Sequence, residues 1–380
     1  MKLLFSKPDL WNAIQMVQSS VPTRSTLPIL SNILLQVEKS GKSVPRVRLE
    51  ATDLEVGIRV TVKAEIHREG RVTIPAKKFG EIVREMPDGQ EIEISSADGK
   101  KVDLKCGKIR ASLASLSPED FPVIPEFPQQ KSFELNRNIF RDMIKKTSFA
   151  VSTDETRYVL NGIFFGAGSG ELKMVATDGR RLAFVSRESG EKAANASVII
   201  PTKAITELQR LLQISADGEQ STIRIAPFDN QVSFKWASET EEIVLVSRVI
   251  DGTFPNYEQV IPKSTEITLN LRTPEILSAV RRAALFAQDR GGSVRFSLSK
   301  GLLKISANSQ GIGEEEEDLE VGYQGPDFET AFNPAFLLDC LKNSDSAEVR
   351  FEFSSPLNPG LIRPSDNARY LCVVMPMRLQ

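Results

Sequence analysis

Apolar and polar positions along the chain repeat in the same order three times. Each repeat opens with alternating apolar residues, typical of a strand, and continues into an amphipathic helix. These openings begin at Leu3, Phe133 and Ile267. The apolar positions that match between the three helices are Leu10, Phe140 and Ile276, followed one turn later by Ile14, Ile144 and Val280. The pattern predicts one structural module that occurs three times.

A second strand and a second helix follow in each repeat and are joined by a proline. Pro75, Pro201 and Pro334 stand at this boundary, where the fixed φ of proline suits the first turn of a helix. The prolines recur at intervals of 126 and 133 residues. Strand-like runs, such as residues 32–37, separate the two helices. We therefore expect an α+β fold of three tandem similar domains, each with two helices and β-sheets.

Two proline-rich segments, at 118–128 and 252–262, lie between the repeats and are expected to be linkers. We place the domain boundaries there, which gives an N-terminal domain at 1–128, a central domain at 129–258 and a C-terminal domain at 259–380. A solenoid is the alternative for a repetitive chain, but its units of about 20–45 residues are much shorter. Tandem globular domains are therefore favoured.

Composition limits the classes of protein that fit. The 380 residues carry a net charge of −2 and are 41% hydrophobic, which is enough for several packed cores. This balance excludes a protein that coats nucleic acid with its whole surface. No apolar run reaches the roughly 18 residues of a membrane span, and the start lacks a secretory pattern, so we expect a cytoplasmic protein without membrane contact. Cys106, Cys340 and Cys372 are odd in number and widely spaced, which indicates neither a disulfide framework nor a paired-cysteine metal site.

Basic side chains concentrate on the predicted helices. At 100° per residue, Arg137, Arg141 and Lys145 form one stripe opposite the apolar side of their helix. Equivalent helices of two repeats carry further basic pairs, Lys77 with Arg84 and Lys203 with Arg210. A shared basic surface of this kind would contact phosphates without reading bases. A merely solvated helix face remains the alternative.

Residues that could carry out catalysis are few. The single histidine, His67, lies in a polar stretch, and no catalytic triad can be built around it. Asp53, Glu55 and Asp178 could be metal ligands, but the motifs ATDLE and ATDGRRL place them at equivalent positions typical of turns. We therefore expect no catalytic residue, no metal and no cofactor. A nucleic-acid enzyme with an unrecognised carboxylate site and a monomeric repeat scaffold stay open as alternatives.

Two apolar features and one acidic run require a partner or a special explanation. Leu285 and Phe286 fall outside the apolar face of the helix predicted at 272–288, which suits an interface or packing under a loop. The stretch 372–377 is apolar, which is unusual near a terminus. A buried last strand would explain it, and so would a methionine-containing groove for partner peptides. The acidic run Glu314–Asp318 is expected to be a solvated loop unless a basic partner faces it.

Over essentially its whole length the chain resembles the bacterial DNA polymerase III beta subunits, the sliding clamps. The motifs that carry the resemblance are TLPILSN at Thr26–Asn32, PAKKF at Pro75–Phe79, RYVLNG at Arg157–Gly162, ATDGRRLA at Ala176–Ala183, DGTFPNY at Asp251–Tyr257 and VVMPMRL at Val373–Leu379. The resemblance implies a DNA-clamp fold in which two chains join head to tail as a ring of six domains around duplex DNA. It also implies a processivity factor without catalysis of its own, which tethers the replicative polymerase and is opened by a clamp-loader complex.

The resemblance further implies three sets of contact residues. DNA contacts carry over to Arg24, Lys77 and Tyr158, while Asp154 and Val159 stand where the family has a polar uncharged residue and a second aromatic. The implied pocket for peptides of the polymerase alpha subunit, repair polymerases, ligase and mismatch-repair proteins comprises Leu160, Thr177, Gly179, Arg180, Arg181, Leu182, Pro255, Val260, Val373, Val374, Met375, Pro376, Met377, Arg378 and Leu379. Arg180, Gln259 and Gln380 depart from the family pattern at its rim. The implied dimer interface comprises Ala111 and Leu113 opposite Leu285 and Phe286, with Lys77 or Lys78 near Glu314, Glu315, Glu316 and Glu317.

Overall fold

The computed structural model describes residues 1–38, 46–188, 196–214, 221–238, 240–287 and 292–378. Within these residues each repeat has the order strand, helix, four or five strands, helix, three strands. The first repeat contains β1 (Lys2–Ser6), α1 (Lys7–Gln18), β2 (Asn32–Glu38), β3 (Arg46–Thr52), β4 (Val56–Lys63), β5 (Glu65–Arg68), β6 (Arg71–Pro75), α2 (Ala76–Glu85), β7 (Glu91–Ser95), β8 (Lys101–Cys106) and β9 (Ile109–Ala114). The second contains β10 (Phe133–Asn136), α3 (Arg137–Ser148), β11 (Gly162–Gly168), β12 (Glu171–Thr177), β13 (Arg181–Glu188), β14 (Ala196–Pro201), α4 (Thr202–Ile214), β15 (Thr222–Phe228), β16 (Gln231–Ala237) and β17 (Glu241–Arg248). The third contains β18 (Ile267–Arg272), α5 (Thr273–Ala283), β19 (Val294–Ser299), β20 (Leu302–Ser309), β21 (Gly313–Glu320), β22 (Phe328–Phe332), α6 (Pro334–Lys342), β23 (Glu348–Phe353), β24 (Gly360–Pro364) and β25 (Tyr370–Val374).

The predicted helices form where the sequence places their starting signals. The Ser6 hydroxyl accepts the Asp9 N–H at 3.2 Å at the start of α1, and the Asn333 side chain accepts the Ala335 N–H at 2.9 Å at the start of α6. The helix predicted at 272–288 is wrong at its end, because α5 stops at Ala283 and Ala284–Phe286 form a 3-10 turn. Among the described residues, we find no helix with the length and apolar character of a membrane span.

Among the described residues, the strands form four antiparallel sheets, and two of these sheets combine strands from different repeats. A five-stranded sheet, β5-β1-β7-β8-β9, belongs to the first repeat, and a four-stranded sheet, β21-β20-β19-β22, belongs to the third. The two eight-stranded sheets have the orders β10-β15-β16-β17-β4-β3-β2-β6 and β14-β11-β12-β13-β25-β24-β23-β18. The second repeat therefore pairs with the first through β17 and β4, and with the third through β13 and β25.

The contacts between residues divide the chain into two compact units that differ from the sequence repeats. The first unit comprises residues 1–141 and 203–249, and the second comprises residues 142–202 and 250–380. In the first unit, α1 packs against α2 and against β3 and β4. In the second unit, α5 packs against α6, over a core that contains Phe296, Phe332 and Phe351. Each unit thus holds one terminal repeat and part of the central repeat.

Candidate functional site

An apolar cluster fills the second unit where the second and third repeats share their sheet. Its members are Leu160, Val175, Leu182, Ile199, Phe254, Leu361, Leu371 and Val373. Phe164, Phe184 and Tyr257 pack against it, with ring centroids 5.9 Å apart from Phe164 to Tyr257 and from Phe184 to Tyr257. We call these residues the junction cluster. The sequence predictions named Leu160, Leu182 and Val373 but missed the aromatic rings, although Tyr257 lies within the DGTFPNY motif.

A tight turn between β12 and β13 borders the junction cluster. The Thr177 hydroxyl accepts the Gly179 N–H at 3.1 Å, and the Asp178 carboxylate accepts the N–H groups of Arg180 and Arg181 at 2.9 and 3.0 Å. Gly179 has φ +84°, a conformation that residues with a Cβ rarely adopt. The interpretation of Asp178 as a turn residue is confirmed, because both of these hydrogen bonds hold the turn closed.

Strands β13 and β25 divide the predicted pocket residues between two faces of the sheet. Leu182 is paired with Val373, and both side chains belong to the junction cluster. The neighbouring pair, Arg181 and Val374, points to the opposite face because successive side chains of a strand alternate. Val374 is fully buried there. Its side chain, and that of Arg181, therefore lie outside the groove face, contrary to the prediction for these two residues.

The Arg181 side chain is held on that opposite face by charged and aromatic partners. Its guanidinium lies 3.1 Å from the Asp178 carboxylate and 2.5 Å from the Asp339 carboxylate, and it donates to the Phe149 carbonyl. It also stacks over the Phe336 ring, at 4.7 Å from the centroid. Arg181 thus joins the end of α3 to α6, directly behind the strand that carries Leu182.

The C-terminal segment is partly a buried strand and partly exposed. Residues Tyr370–Val374 form β25 and are buried, as the plainer of the two sequence interpretations predicted. Beyond the strand, 39% of Met375 is exposed, and its N–H donates to the Arg180 carbonyl at 2.8 Å. Pro376 and Met377 are half-buried, Arg378 is exposed, and Leu379 and Gln380 lie outside the described residues. Val260 and Pro255 are exposed in the preceding linker. Ile261, which follows Val260, packs against the junction cluster, and Met375 follows its member Val373 by two residues. We use the name apolar groove for Val260, Met375 and the junction cluster together, as the site that the sequence predicts.

Only part of the basic stripe predicted on α3 is exposed. Arg137 is the first residue of the helix and only 1% of it is exposed, and its backbone N–H donates to the Ser221 carbonyl at 2.9 Å. Burial, and secondarily the charge of Arg141, lowers the pKa of Arg137. Arg141 is half-buried, whereas Lys145 is exposed and lies 2.8 Å from the Asp345 carboxylate. The prediction of a phosphate contact is wrong for Arg137 in this fold.

The basic pair on α4 has partners within the first unit. Lys203 forms ion pairs with the Asp53 and Glu55 carboxylates. Arg210 donates to the Met16 carbonyl at 2.7 Å and to the Gln15 carbonyl at 3.2 Å, in the last turn of α1. A cation there satisfies carbonyl groups that a helix end leaves without partners. Arg210 therefore fastens α4 to α1 instead of lying on an open basic surface.

The Asp53 carboxylate also closes a turn, since it accepts the N–H groups of Glu55 and Val56 at 3.0 and 2.8 Å. No group of three metal-ligating side chains occurs in the part of the chain that the structure describes. The turn interpretation of Asp53 is confirmed.

The remaining residues predicted to contact DNA differ in exposure. Arg24 and Lys77 are exposed, and 58% of Tyr158 is exposed. Val159 is half-buried against the junction cluster. Asp154 caps a 3-10 turn by accepting the Thr156 N–H at 3.0 Å and the Thr156 hydroxyl at 2.7 Å, and these bonds lower the pKa of its carboxyl group.

The predicted interface residues lie on or beside two outermost strands. Ala111 and Leu113 are half-buried on β9, at the edge of the five-stranded sheet. The acidic run predicted as a loop is instead β21, at the edge of the four-stranded sheet, with Glu315 and Glu317 half-buried and Glu314 and Glu316 exposed. Leu285 is 59% exposed in the 3-10 turn after α5, with the half-buried Phe286 beside it.

Several charged residues of the predicted interface have partners within their own unit. Arg282 donates to Glu317 through two nitrogens, at 2.7 and 2.8 Å, and Lys304 lies 2.9 Å from Glu316. Lys78 lies 2.6 Å from Glu81, and this hydrogen bond lowers the pKa of the Glu81 carboxyl group.

Comparison with known proteins finds one family along the whole chain. Models of the DNA polymerase III beta subunit match with its N-terminal domain at residues 1–125, its central domain at 134–256 and its C-terminal domain at 258–378. The beta sliding clamp of Chlamydia trachomatis is 36% identical over 380 residues, which cover 100% of this chain and 87% of the relative. The beta sliding clamp of Pseudomonas aeruginosa is 35% identical, with full coverage of both chains.

Solved structures agree with the sequence relatives. A crystal structure of the DNA polymerase III beta subunit from Pseudomonas aeruginosa superimposes with a TM-score of 0.91 at 33% identity, covering 100% of both chains. A sliding clamp from Bartonella birtlesii bound to griselimycin superimposes with a TM-score of 0.90 at 34% identity, again over 100% of both chains.

Proposed function

The chain belongs to the DNA polymerase III beta subunit family of sliding clamps, and from this premise we propose that two copies close head to tail into a ring that encircles duplex DNA and holds the replicative polymerase on its template. The observation that carries the proposal is the match of three successive clamp domains over the full length of the chain. Retention by encirclement makes a polymerase processive without tight affinity for any DNA sequence.

Two open sheet edges of opposite charge support the closure of the ring. β9 and β21 are outermost strands, so each has backbone N–H and C=O groups that can pair with another chain. The β8–β9 hairpin carries the cations Lys101, Lys105, Lys108 and Arg110 against the single acid Asp103. β21 carries six acidic residues and no basic one. A contact between β9 of one protomer and β21 of its partner, made twice, closes a dimer.

Charge reversal at the basic edge tests this closure. We expect Arg110→Glu to convert the dimer to a monomer at micromolar concentration, because it places a carboxylate opposite the acidic strand. Light scattering should give twice the 42.1 kDa mass of one chain for the parent protein and the mass of one chain for the variant. Lys63→Glu, an equal charge change on an exposed residue of β4, is the control and should stay dimeric. A parent protein that is a stable monomer would support the repeat-scaffold alternative instead.

Contact with DNA is proposed to rest on the exposed side chains Arg24, Lys77 and Tyr158, with Lys145 contributing when a phosphate replaces Asp345. Such contacts are independent of sequence and weaken with salt. Clamp loaded onto nicked circular DNA should stay bound after a salt wash and dissociate once the circle is cut. Equal loss from circular and cut DNA would contradict encirclement.

The apolar groove is proposed to bind apolar peptide segments of the polymerase alpha subunit, the clamp loader and repair proteins. The proposal is supported by the exposed apolar residues Val260 and Met375, which are close in sequence to Ile261 and Val373 of the buried junction cluster and its packing partners. Clamps of Pseudomonas aeruginosa and Bartonella birtlesii have been solved with griselimycin bound, so members of the family bind ligands.

We further propose that the protein acts without catalysis of its own, in the cytoplasm where bacterial DNA is replicated. The carboxylates that could suggest an enzyme, Asp53 and Asp178, are engaged in turn hydrogen bonds and ion pairs. Nuclease or polymerase activity that copurifies with the chain and disappears in Asp178→Ala would overturn this part of the proposal.

A further inference from the structure

A cleft of about 220 Å³ lies in the first unit, where the first and second repeats share a sheet. Its walls are the turn between β3 and β4, the proline-rich segment after β9 and the end of β17. The lining includes Leu54, Val123, Ile124, Val246 and Arg248. Val123 is 92% exposed and Leu54 is 46% exposed, which is high for apolar side chains. We call this site the first-unit cleft.

The turn that borders the first-unit cleft has the same hydrogen bonds as the turn that borders the apolar groove. The Thr52 hydroxyl accepts the Leu54 N–H at 3.0 Å, as the Thr177 hydroxyl accepts the Gly179 N–H at 3.1 Å. Leu54 has φ +78°, close to the φ of +84° at Gly179. A leucine held in the left-handed region is strained, and strain of this kind concentrates at binding sites.

The strands behind the two turns also correspond. The Arg248 N–H donates to the Glu55 carbonyl at 2.9 Å, as the Met375 N–H donates to the Arg180 carbonyl at 2.8 Å. Arg248 at the end of β17 therefore occupies the position that Met375 occupies at the end of β25. The first-unit cleft is the structural counterpart, one repeat earlier, of the apolar groove.

Two substitutions between the counterparts change what the cleft can bind. Gly57 stands where the groove has Leu182, and a Cβ at Gly57 would lie 3.1 Å from the Ile124 side chain, so Ile124 fills the space of the missing leucine. Arg248 in place of Met375 puts a guanidinium at the rim. Arg248 makes no ion pair with any residue of the described ranges, while the nearby Glu55 lies 4.0 Å from Lys203. The cleft is thus a shallow apolar surface whose rim carries Arg248, a cation without a carboxylate within 4.0 Å among the described residues.

We propose that the first-unit cleft is a second docking site for partner peptides, which takes a segment with an apolar side chain and a carboxylate. The apolar side chain contacts Leu54, Val123 and Ile124, and the carboxylate accepts hydrogen bonds from Arg248. The proposal rests on the proposed function, because the kind of occupant follows from the correspondence with the apolar groove. A partner that occupies both sites gains affinity from the second attachment.

Methyl NMR of the full chain with a defined probe tests the site. The probe is the peptide acetyl-Ala-Leu-Leu-Glu-amide, and its control is the same peptide with glutamine in place of glutamate. We expect the acidic peptide to shift the Val123, Ile124 and Val246 methyl signals, and the control peptide to bind the cleft about tenfold more weakly, since a charge-assisted hydrogen bond is lost. Cleft signals that do not move at saturating peptide, or that move equally with both peptides, would overturn the proposal.

Matched variants separate the cleft from the groove. Arg248→Met installs the residue of the groove and should weaken binding of the acidic peptide at the cleft about tenfold, while the Val260 and Val373 signals of the groove respond as before. Val123→Asp should abolish cleft binding, and Leu357→Asp, at a residue 77% exposed in the third repeat, should not. Because Arg248 and Val123 are both exposed, we expect both variants to fold, and unchanged melting curves would verify this. If only the cleft signals shift, the assignment of the apolar groove as a peptide site is wrong and the first-unit cleft stands. If only the groove signals shift, the proposal for the first-unit cleft is wrong and the groove stands.

Discussion

Truncation of Met375 gives the most direct measure of the apolar groove. Complete burial of a methionine side chain is worth about 1.5–3 kcal/mol, and 39% of Met375 is exposed and available for burial under a peptide. That fraction corresponds to roughly 1 kcal/mol, or an affinity about fivefold weaker in Met375→Ala. The fold should not suffer, because the backbone N–H of residue 375 still donates to the Arg180 carbonyl.

Fluorescence anisotropy with a labelled peptide from the clamp-binding segment of the polymerase alpha subunit measures this loss. Leu357→Ala is the control, since Leu357 is apolar and exposed but lies outside the junction cluster. Light scattering should show the same dimer for both variants. A dissociation constant for Met375→Ala within the error of the parent value would refute the assignment of the groove, and equal weakening in both variants would mean that the probe binds without specificity.

Three further changes test other parts of the structure. Leu285→Asp should raise the dimer dissociation constant about 100-fold in analytical ultracentrifugation, because a charge replaces an apolar side chain that the interface would bury. The control Leu357→Asp should leave the dissociation constant unchanged. Arg210→Ala should lower the free energy of unfolding in urea by about 1–2 kcal/mol through loss of the bonds to Met16 and Gln15, and Arg84→Ala, at an exposed residue, by less than about 0.5 kcal/mol. Burial, and secondarily Asp9, raises the pKa of Glu241, so the folded state retains this proton more strongly than the unfolded state and loses stability as the pH rises above the ordinary glutamate value. Glu241→Gln should therefore melt higher than the parent at pH 7.5, with the difference shrinking toward pH 4, and a pH-independent difference would contradict the assignment.

The sequence predicted the elements well because local signals determine them. Ser6 before α1 and Asn333 before α6 are helix caps that can be recognised from residue type and spacing, and both caps form. The motifs ATDLE and ATDGRRL predicted turns, and Asp53 and Asp178 both close turns. The internal repeat likewise recurs as one order of strands and helices.

Predictions of side-chain roles were less reliable. Helical periodicity indicates which side of a helix a residue lies on, but it does not indicate which other elements pack against that side. Arg137 and Lys145 lie on one side of a helical wheel, yet the Arg137 side chain is buried and Lys145 remains exposed. Arg210 points toward α1, which is almost 200 residues away in sequence, so its role as a helix fastener depends on packing between repeats. The same limit applies to Arg181, whose partner Asp339 belongs to another repeat.

The strand pairs that cross the repeat boundaries have a mechanical consequence. Seven consecutive residue pairs join β17 to β4, and five join β13 to β25, so each boundary inside the chain is fastened by a continuous ladder of backbone hydrogen bonds. Separating the repeats therefore requires many of these hydrogen bonds to break at the same time. In the proposed ring, we therefore expect the contacts between protomers to open before either repeat boundary within a chain does.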